Sequence, residues 1–589
     1  MNTYPLIRSR WSNEHLLTVL FLTVSLYQLP DFVGSTISIF QYMLIVVAAL
    51  TLDATINYIR YKKPVCAVSS AVTAAVLYPV IKGLPGWAGL LGVAAALIIG
   101  KHIWGGTGKN IFNPAVMAMF LLSIIFPLEL PLFNPASLLI PALVLSLPFI
   151  AVRLFPGLGF LAGMLAALYI SDGLSFAGIV SYGAIYWSCI VITDPVTATD
   201  KPVSGLLTGF LAGFLPLLFS TSLFALSAAL LLFNGISYIL NRYSGRTKGI
   251  FLSGIKIEVP LEAGMADMEM IDMTEEKPCS ECIQEGLEAE EIMKCIERND
   301  VFGMGGAGFP TIRKIETVKR SGANEKYLIV NGMECDPGLI HDKWLMRNRQ
   351  AGIAGGMEIL GRIAGFRRTY YIAKEISGLH FPEYVEIHQL PDRYPYGAEK
   401  LFVEKLLGIS IPADSHPAQY GVLVLNVQTV LAVYEAVYCN KKADTRFITV
   451  ADLFADMRKV VKVKIGDHVS DIVEKTVGSK GITFVGGGIM QVRPAEDSEV
   501  IGKTTNFIAV GMLPRYKESL QCINCGLCRL CCPMGLNVKR IADLVDEGKL
   551  LEAQTYNTER CISCGSCSYV CPAGKNLSGR IAGKKQRIS

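Results

Sequence analysis

Long apolar runs dominate the first 240 residues, whereas the rest of the chain mixes apolar and polar positions in the manner of soluble domains. A helix that crosses a bilayer needs about 20 mostly apolar residues, and fewer where the segment is broken or re-entrant. The pattern therefore predicts a polytopic α-helical membrane domain over residues 1–240, with about ten helices. The predicted spans are 13–30, 36–57, 65–82, 84–103, 112–128, 135–152, 156–171, 175–193, 204–219 and 221–239.

The basic residues between these spans predict the orientation of the domain. With the N-terminus inside, nearly every loop Lys and Arg falls on the cytoplasmic side, and Lys82 is the exception. This is the positive-inside bias of membrane proteins. We therefore expect a multi-pass protein of the inner (plasma) membrane, with its N-terminus and its soluble half in the cytoplasm. The residues are Arg8, Arg10, Arg60, Lys62, Lys63, Lys101, Lys109, Arg153, Lys201, Arg242, Arg246 and Lys248.

The chain after residue 240 divides into four segments. A polar stretch with an acidic run predicts a linker over 241–299. Strands and helices around glycine-rich turns predict an α/β domain over 300–450, and short strands with one helix follow over 451–510. A cysteine-rich segment occupies 511–589.

Two cysteine runs near the C-terminus carry the strongest chemical signal. They read CINCGLCRLCCP and CISCGSCSYVCP, each a C-x2-C-x2-C-x3-C-P pattern. Bacterial ferredoxins with two 4Fe–4S clusters have this pattern, and the fourth cysteine of each run ligates the other cluster. The predicted ligand sets are Cys522, Cys525, Cys528 and Cys571 for one cluster, and Cys561, Cys564, Cys567 and Cys532 for the other.

Zinc or disulfides are the alternatives for these cysteines. Zinc gives no reason for two intact copies of this spacing, and disulfides need an oxidising compartment that nothing else indicates. Cys531 is the spare of the first run, and we expect no ligand role for it. Cys279, Cys282 and Cys295 stay open between ordinary thiols, a weak redox pair and a further metal site.

Two polar segments interrupt the membrane half: GGTGKNIFNPAV over 105–116 and TDPVTATDKPVSG over 193–205. Such segments either are cytoplasmic loops with helix caps or line a cavity at membrane depth. Asp53, Asp172 and Asp194 are the candidate intramembrane acids. All three lie near predicted helix ends, which favours snorkelling or capping roles.

These two segments, with IIFP over 124–127, resemble the D subunit of the Rnf electron-transport complex and its sodium-pumping quinone-reductase relative. The resemblance implies an inverted-repeat-like fold of ten helices that holds flavin. The family attaches FMN covalently to a threonine, but Gly178 stands at the nearest matching position, DGLSFAG. We therefore expect no covalent FMN here, which leaves a non-covalent flavin or plain anchoring for this half.

A glycine-rich loop opens the α/β domain at VFGMGGAGFPTIRK over 301–314. Glycines let a backbone approach a phosphate closely, although tight turns explain most such loops. Here NGMECDP, YPYGAEK and LNVQTVLAV follow in order, and the set resembles the flavoprotein subunit of respiratory complex I and the Rnf C subunit. The resemblance covers residues 300–575 and implies that 451–510 is a soluble-ligand-binding β-grasp module.

The same resemblance implies a pocket for non-covalent FMN and NADH. Glu334 and Glu399 would be its catalytic carboxylates, with Glu399 facing the nicotinamide nucleotide. The cofactor-binding residues would be Gly303, Gly305, Gly306, Gly308, Phe309, Lys314, Asn331, Glu334, Asp336, Asn426 and Thr429.

Composition agrees with a membrane-bound redox protein. Mean hydropathy is +0.40, and only 18% of residues are charged. The net charge of +5 comes without a basic, aromatic-rich patch, so we expect no nucleic-acid partner.

Together these features predict an oxidoreductase that fuses Rnf D-like and C-like parts. It would move electrons between NADH, through FMN and two clusters, and a ferredoxin-like carrier or other Rnf-like membrane subunits. Coupling to Na+ or H+ movement would accompany this role. The alternative is a membrane-anchored electron relay that feeds a dedicated reductase or corrinoid protein without pumping ions.

Overall fold

This computed structural model describes most of the chain. The described residues are 5, 12–33, 35–62, 68–131, 154–172, 183–194, 196–199, 202–219, 222–243, 270–274, 287–412, 415–478, 480–512 and 522–588. The predicted span 135–152, the first part of the span 175–193, most of the linker, Cys279, Cys282 and Gly178 lie outside them.

The apolar runs of the membrane half form helices. In chain order α1 to α10 are Asn13–Tyr27, Leu29–Val33, Thr36–Tyr61, Val68–Ile81, Gly86–Ala95, Pro114–Ile125, Leu154–Asp172, Ala184–Tyr186, Pro202–Phe219 and Leu223–Tyr243. Within the described residues, two helices are long and apolar enough to cross a bilayer, Thr36–Arg60 and Leu223–Asn241, and five apolar helices are shorter.

The helices depart from the predicted spans at two places. The span 13–30 is two helices, α1 and α2, because Pro30 has no amide to continue the hydrogen-bond ladder of α1. In the span 84–103, α5 widens into a π-helix, Ala96–His102. The widened turn brings the neighbouring side chains of Lys101 and His102 to the carboxylate of Asp53, at 3.0 and 2.8 Å.

This contact corrects the expected role of Asp53. Its carboxylate is fully buried and also accepts from Asn57 at 3.0 Å, so it belongs to an internal ion pair rather than to a snorkelling side chain. Asp194 accepts from the backbone amide and hydroxyl of Thr197 and so closes a turn, since no described helix begins at this residue.

Helices α7 and α9 pack in direct backbone contact. Gly159 and Gly163 of α7 face α9, and Gly209 and Gly213 of α9 face α7. A Cβ atom at any of these positions would overlap a carbonyl oxygen of the opposite helix. Small residues at four-residue spacing allow this close approach in membrane helices.

Replacing Gly163 with Ile should force α7 and α9 apart. Overpacking of this kind costs about 1–3 kcal/mol, so the apparent unfolding temperature of the detergent-solubilised chain should fall. Gly86→Ala is the control, because a Cβ at that helical position meets nothing within 4 Å. Equal unfolding temperatures for Gly163→Ile and the wild type would contradict the packing described here.

The soluble half contains two sheets and a helical C-terminal segment. Strands β1 to β10 are Met270–Asp272, Tyr327–Gly332, Arg368–Ala373, Val385–Gln389, Val422–Asn426, Thr445–Asp452, Met457–Lys464, Ile482–Gly488, Gln491–Pro494 and Phe507–Gly511. Helices α11 to α22 are Ala289–Arg298, Thr311–Arg320, His341–Asn348, Gln350–Ala364, Glu399–Leu407, Val427–Tyr438, Val469–Thr476, Leu527–Leu530, Val538–Asp546, Leu550–Gln554, Ser566–Tyr569 and Leu577–Ile588.

The first sheet is parallel and has the order β4-β3-β2-β5. The chain moves from β2 outward to β4 and then returns to β5 on the other side of β2. The strand order therefore reverses between β2 and β5, and ligands of open parallel sheets bind at such a point, beyond the carboxyl ends of the strands. Asn331 and Asn426 are paired there as the last matched residues of the two strands.

The second sheet is mixed and has the order β1-β7-β6-β10-β8-β9. Its strand β6 starts at Thr445, before the predicted boundary at residue 451. Its edge strand β1, Met270–Asp272, comes from the segment expected to be a linker and pairs with β7. Apolar residues of β6 and β7 pack into one core, and Ile271 of β1 packs against that core. The sheet is therefore built from β1 as well as from β6 and β7.

Candidate functional site

The glycine-rich loop lies at the switch point of the parallel sheet. Its turn is closed by hydrogen bonds from the Gly303 amide to the Phe309 carbonyl and from the Gly308 amide to the Gly303 carbonyl, at 2.7 and 3.0 Å. Gly306 and Gly308 have φ of +111° and +63°, a backbone region that favours glycine. A Cβ at Gly305 would lie 3.1 Å from the Cβ of Asn426, so the loop passes directly over the end of β5.

Side chains from two other segments fix this loop. Thr429, at the start of α16, accepts a hydrogen bond from the Met304 amide at 2.8 Å. The Arg446 guanidinium is fully buried and donates to the Met304 carbonyl at 3.0 Å and to the side chain of Asn506. Burial lowers the pKa of Arg446 to about 10, so the side chain stays charged at neutral pH.

Lys314 and Glu399 form an ion pair beside the loop. The Lys314 ammonium lies 2.9 Å from the Glu399 carboxylate and donates to the Val424 carbonyl at 3.2 Å. Glu399 begins α15, where a carboxylate also favours the positive end of the helix dipole. The pair remains partly exposed, so a ligand can reach both groups.

Glu334 has a structural contact that the sequence did not reveal. Its carboxylate accepts the backbone amides of Asp342 and Lys343, at 2.7 and 3.2 Å, and so caps the N-terminus of α13. Its φ of +29° is unusual for a residue other than glycine and marks local strain of the kind found at functional sites. Burial raises the pKa values of Glu334 and Asp342, which lie against each other.

Asp336 lies where the second sheet meets the first. A Cβ at Gly488 would overlap its carboxylate, and the Met490 amide lies 3.5 Å from its Oδ1. Burial raises the pKa of Asp336 to about 7, and the nearby Glu334 adds to this effect.

The structure therefore brings most of the predicted pocket residues together. Asn331 donates to the Gly397 carbonyl at 3.1 Å, and Asn426 donates to the Asp342 carboxylate at 2.7 Å. Phe309 is half-exposed at the rim of the loop. Glu399 pairs with Lys314, whereas Glu334 accepts the first amides of α13, so the two carboxylates have different surroundings.

Three functional candidates escaped the sequence reasoning: His341, Asp342 and Arg446. Burial lowers the pKa of His341 to about 3, and its Nδ1 lies 3.0 Å from the Thr449 hydroxyl. Glu334, His341 and Asp342 offer ligand atoms within 4.8 Å of one another, but two amides occupy the Glu334 carboxylate. No spacing rule finds these residues, because only the folded chain brings α13 to β5 and β6.

The eight predicted cluster cysteines line two separate cavities. One cavity is lined by the sulfur-bearing side chains of Cys522, Cys525, Cys528 and Cys571. The other is lined by Cys532, Cys561, Cys564 and Cys567. Each cavity thus takes three cysteines from one run and one from the other, and four thiols around one cavity are the donor set that a 4Fe–4S cluster needs.

The two runs fold as an internal repeat. Gly526 and Gly565 precede the short helices α18 and α21 and both have φ of +81°. Residues of the first run match those of the second at a constant offset, so Ile523 corresponds to Ile562 and Asn524 to Ser563. Because the two runs share one fold, each lining position of one cavity can be compared with its counterpart in the other.

The first cysteine loop docks onto the membrane half. Ile523 is 3% exposed and lies within the apolar core formed by the membrane helices. Asn524 donates to the Val196 carbonyl at 3.2 Å, and the Asn13 amide donates to the Pro572 carbonyl at 2.8 Å. A Cβ at Gly108 would overlap the Cys522 carbonyl, so both polar segments of the membrane half contact this loop.

A cavity of about 80 Å³ lies next to this loop among the membrane helices. Ile523 closes one side, and the polar part of the lining comes from Ser69, Thr73, Lys101, Thr107, Asn110, Asn113, Thr193 and Asp194. Of the two interpretations of the polar segments, this geometry favours a cavity lining.

The second cysteine loop contacts the soluble half beside Tyr394 and Met490. The Tyr394 hydroxyl donates to the Cys564 carbonyl, and Cys564 and Tyr569 pack against a core that includes Tyr394 and Met490. Cys335, between the two acids Glu334 and Asp336, packs against the same core. The ferredoxin-like segment therefore contacts the membrane half through its first cysteine loop and the rest of the soluble half through its second.

Replacing Ile523 with Asp should release the first loop from the membrane half. A buried carboxylate without a partner is costly, so the amides of residues 105–110 and 522–526 should lose protection in hydrogen-exchange mass spectrometry. Ile562→Asp is the matched control, since it places the same charge at the equivalent position of the other loop. Unchanged protection in Ile523→Asp would show that this docking does not exist in solution.

Family models match three parts of the chain. Residues 11–146 match the NQR2, RnfD, RnfE family, residues 296–435 match the Nuo51 FMN-binding domain, and residues 515–572 match a 4Fe-4S dicluster domain. The three matches follow one another in the order membrane half, glycine-loop domain and cysteine runs.

Curated relatives match the soluble half. The C subunit of an ion-translocating oxidoreductase complex from Pseudomonas aeruginosa is 33% identical over 45% of this chain and 35% of its own length. The C subunit of a proton-translocating ferredoxin:NAD(+) oxidoreductase complex from Clostridium ljungdahlii is 28% identical over 46% of this chain and 62% of its own length. The chain thus spans less than two thirds of the length of these relatives.

Among solved structures, an NAD+-reducing NiFe-hydrogenase in the air-oxidized state is 19% identical. The TM-score is 0.35, and the match covers 51% of this chain and 62% of the hydrogenase chain. A likeness of this size carries no argument about fold or function.

Proposed function

We propose that this chain, a fusion of a D-type membrane part with a C-type soluble part of Rnf complexes, conducts electrons between a nicotinamide and its membrane half. It would act as a membrane-bound oxidoreductase of the ion-translocating type. The observation that carries the proposal is the position of the ferredoxin-like segment, whose second loop contacts the flavin side and whose first loop contacts the membrane half.

The glycine loop and the ends of β2 and β5 would hold FMN without a covalent bond. The loop amides and the start of α12 favour a phosphate. Asn331 and Thr429 hold the surrounding backbone in place, and Asn426 holds the Asp342 carboxylate. Bound FMN would supply hydride exchange with NADH and release of single electrons. The exposed Lys314–Glu399 pair would orient the nucleotide, and the Glu334 cap would keep α13 fixed beneath the flavin.

The two four-cysteine cavities would hold two 4Fe–4S clusters with the crossed ligand sets. We call the cluster of Cys522, Cys525, Cys528 and Cys571 the membrane-side cluster. The cluster of Cys561, Cys564, Cys567 and Cys532 is the flavin-side cluster. Each would carry one electron at a time.

The membrane half would lie in the inner membrane as a ten-helix unit with the soluble half in the cytoplasm. Among the described residues, five of its apolar helices are shorter than a full span, as expected where broken helices are buried among others. Other Rnf-like subunits and a ferredoxin would be the partners, and Na+ or H+ movement would accompany the electron transfer. The two relatives reported above are named as ion- or proton-translocating complexes, which supports this part of the proposal.

A second candidate is a membrane-anchored relay that feeds a dedicated reductase or corrinoid protein without pumping. The sequence observation that favours it is Gly178, which has no hydroxyl for a covalent flavin bond. Ion uptake into vesicles that contain the purified chain, driven by NADH, separates the two functions.

Anaerobic stopped-flow mixing with NADH tests the dehydrogenase role in the detergent-purified chain. Flavin absorbance should bleach first and cluster absorbance should follow, and NADPH in parallel tests the nucleotide preference. If neither nucleotide reduces the chain while dithionite still bleaches the clusters, the nicotinamide role is wrong and the donor is another protein.

Replacing Glu399 with Gln should leave Lys314 without its carboxylate partner and weaken nucleotide binding. A lost charged hydrogen bond corresponds to about a tenfold higher NADH concentration for half-maximal reduction. Glu404→Gln is the matched control, because Glu404 is exposed on the same helix. Equal NADH dependence in both variants would remove Glu399 from the site.

Serine substitutions test the crossed cluster ligands by electron paramagnetic resonance of the reduced chain. Cys522→Ser and Cys571→Ser should lose or alter the same signal, and Cys561→Ser and Cys532→Ser the other. Cys531→Ser should keep both signals. Pairing of Cys571 with Cys561 instead would contradict the crossed assignment.

A further inference from the structure

The two cluster cavities differ in the charge of their lining. Three basic side chains, Lys539, Lys575 and Arg580, and two acidic ones, Asp543 and Asp546, line the membrane-side cavity, which leaves one net positive charge. Among the side chains that the structure describes, the lining of the flavin-side cavity consists of cysteines, apolar residues and three serines.

The internal repeat shows that this difference is local to a few positions. Six further lining positions of the two cavities correspond at the constant offset of the repeat. Lys539 corresponds to Ser578 and Lys575 to Leu536, whereas Pro572 corresponds to Pro533. The lysines therefore occupy positions where the same fold accepts an uncharged residue.

Ion pairs hold the basic groups in place. Lys539 pairs with Asp543 one helical turn away, and Arg580 pairs with Asp546 at 2.7 Å. These pairs cancel part of the charge, so the sign of the lining depends on Lys539 and Lys575 together.

We propose that Lys539 and Lys575 selectively stabilise the reduced state of the membrane-side cluster. Reduction adds one negative charge to a cluster that is already anionic through its thiolates, and nearby positive charge favours that state. The step concerned is the transfer of one electron from the reduced flavin-side cluster to the oxidised membrane-side cluster, in which no bond forms or breaks. The two lysines would hold the electron next to the membrane half.

This inference rests on the proposed two-cluster function and concerns two positioning residues. Its test is a potentiometric titration of the full chain in detergent, monitored by electron paramagnetic resonance. The signals are assigned with Cys571→Ser and Cys532→Ser. The readout is the midpoint potential of each cluster, which does not depend on turnover.

Lys539→Ser and Lys575→Leu introduce the residues found at the corresponding positions of the repeat, Ser578 and Leu536. Both variants should lower the midpoint potential of the membrane-side cluster. We expect about a tenfold smaller ratio of reduced to oxidised cluster at fixed potential, which is about 59 mV for a one-electron couple. The flavin-side cluster should keep its midpoint in both variants.

Two controls separate charge from packing. Lys539→Arg keeps the charge and should keep the wild-type midpoint, whereas Lys539→Ser combined with Asp543→Asn restores the net charge of the wild-type lining and should recover part of the shift. Unchanged midpoints in Lys539→Ser and Lys575→Leu, or equal shifts of both clusters, would overturn the inference. A wild-type chain without two cluster signals would instead overturn the proposed function on which it rests.

Discussion

The seating of the first cysteine loop in the membrane half is the constraint on which the rest of the proposed redox path depends. Ile523 is buried among membrane helices although it belongs to the soluble half, and Asn524 and Pro572 hydrogen-bond to the same surface. Cofactor proteins work by holding reactive centres at fixed positions relative to one another. The apolar side chain of Ile523 and the flanking hydrogen bonds to backbone carbonyls hold the loop in this position.

At the opposite end of the path, the switch point of the parallel sheet fixes the pocket. The loop over β5 is held by Thr429 and by the buried Arg446, which donates to backbone carbonyls rather than to a ligand. Glu334 and Asp342 are buried beside each other, and the amides at the start of α13 offset part of the cost. Such an arrangement is maintained by folding and leaves little for a bound cofactor to reorganise.

The sequence was informative where chemistry depends on local spacing and silent where it depends on tertiary contact. The cysteine runs predicted which side chains share a cavity, including Cys571 and Cys532, because the repeat imposes the crossing. The glycine loop and the end of β5 were predicted through motif order. The Glu334 cap, the partner of Asp53 and the plug formed by Ile523 could not be predicted, since each joins segments that are far apart in the chain. Helix ends in the membrane half also differed, because Pro30 and a π-helix break the apolar periodicity.

Among the described residues, the first cysteine loop contacts the membrane half through the side chains of Ile523, Cys525 and Leu527 and through a few hydrogen bonds. Here both surfaces belong to one polypeptide, so their encounter is intramolecular and takes place at a high effective concentration. Contacts that would be weak between two separate proteins then suffice to keep the loop seated for most of the time. A fused chain of this kind would keep the proposed electron path assembled at any expression level, because the ratio of the two halves is fixed at one.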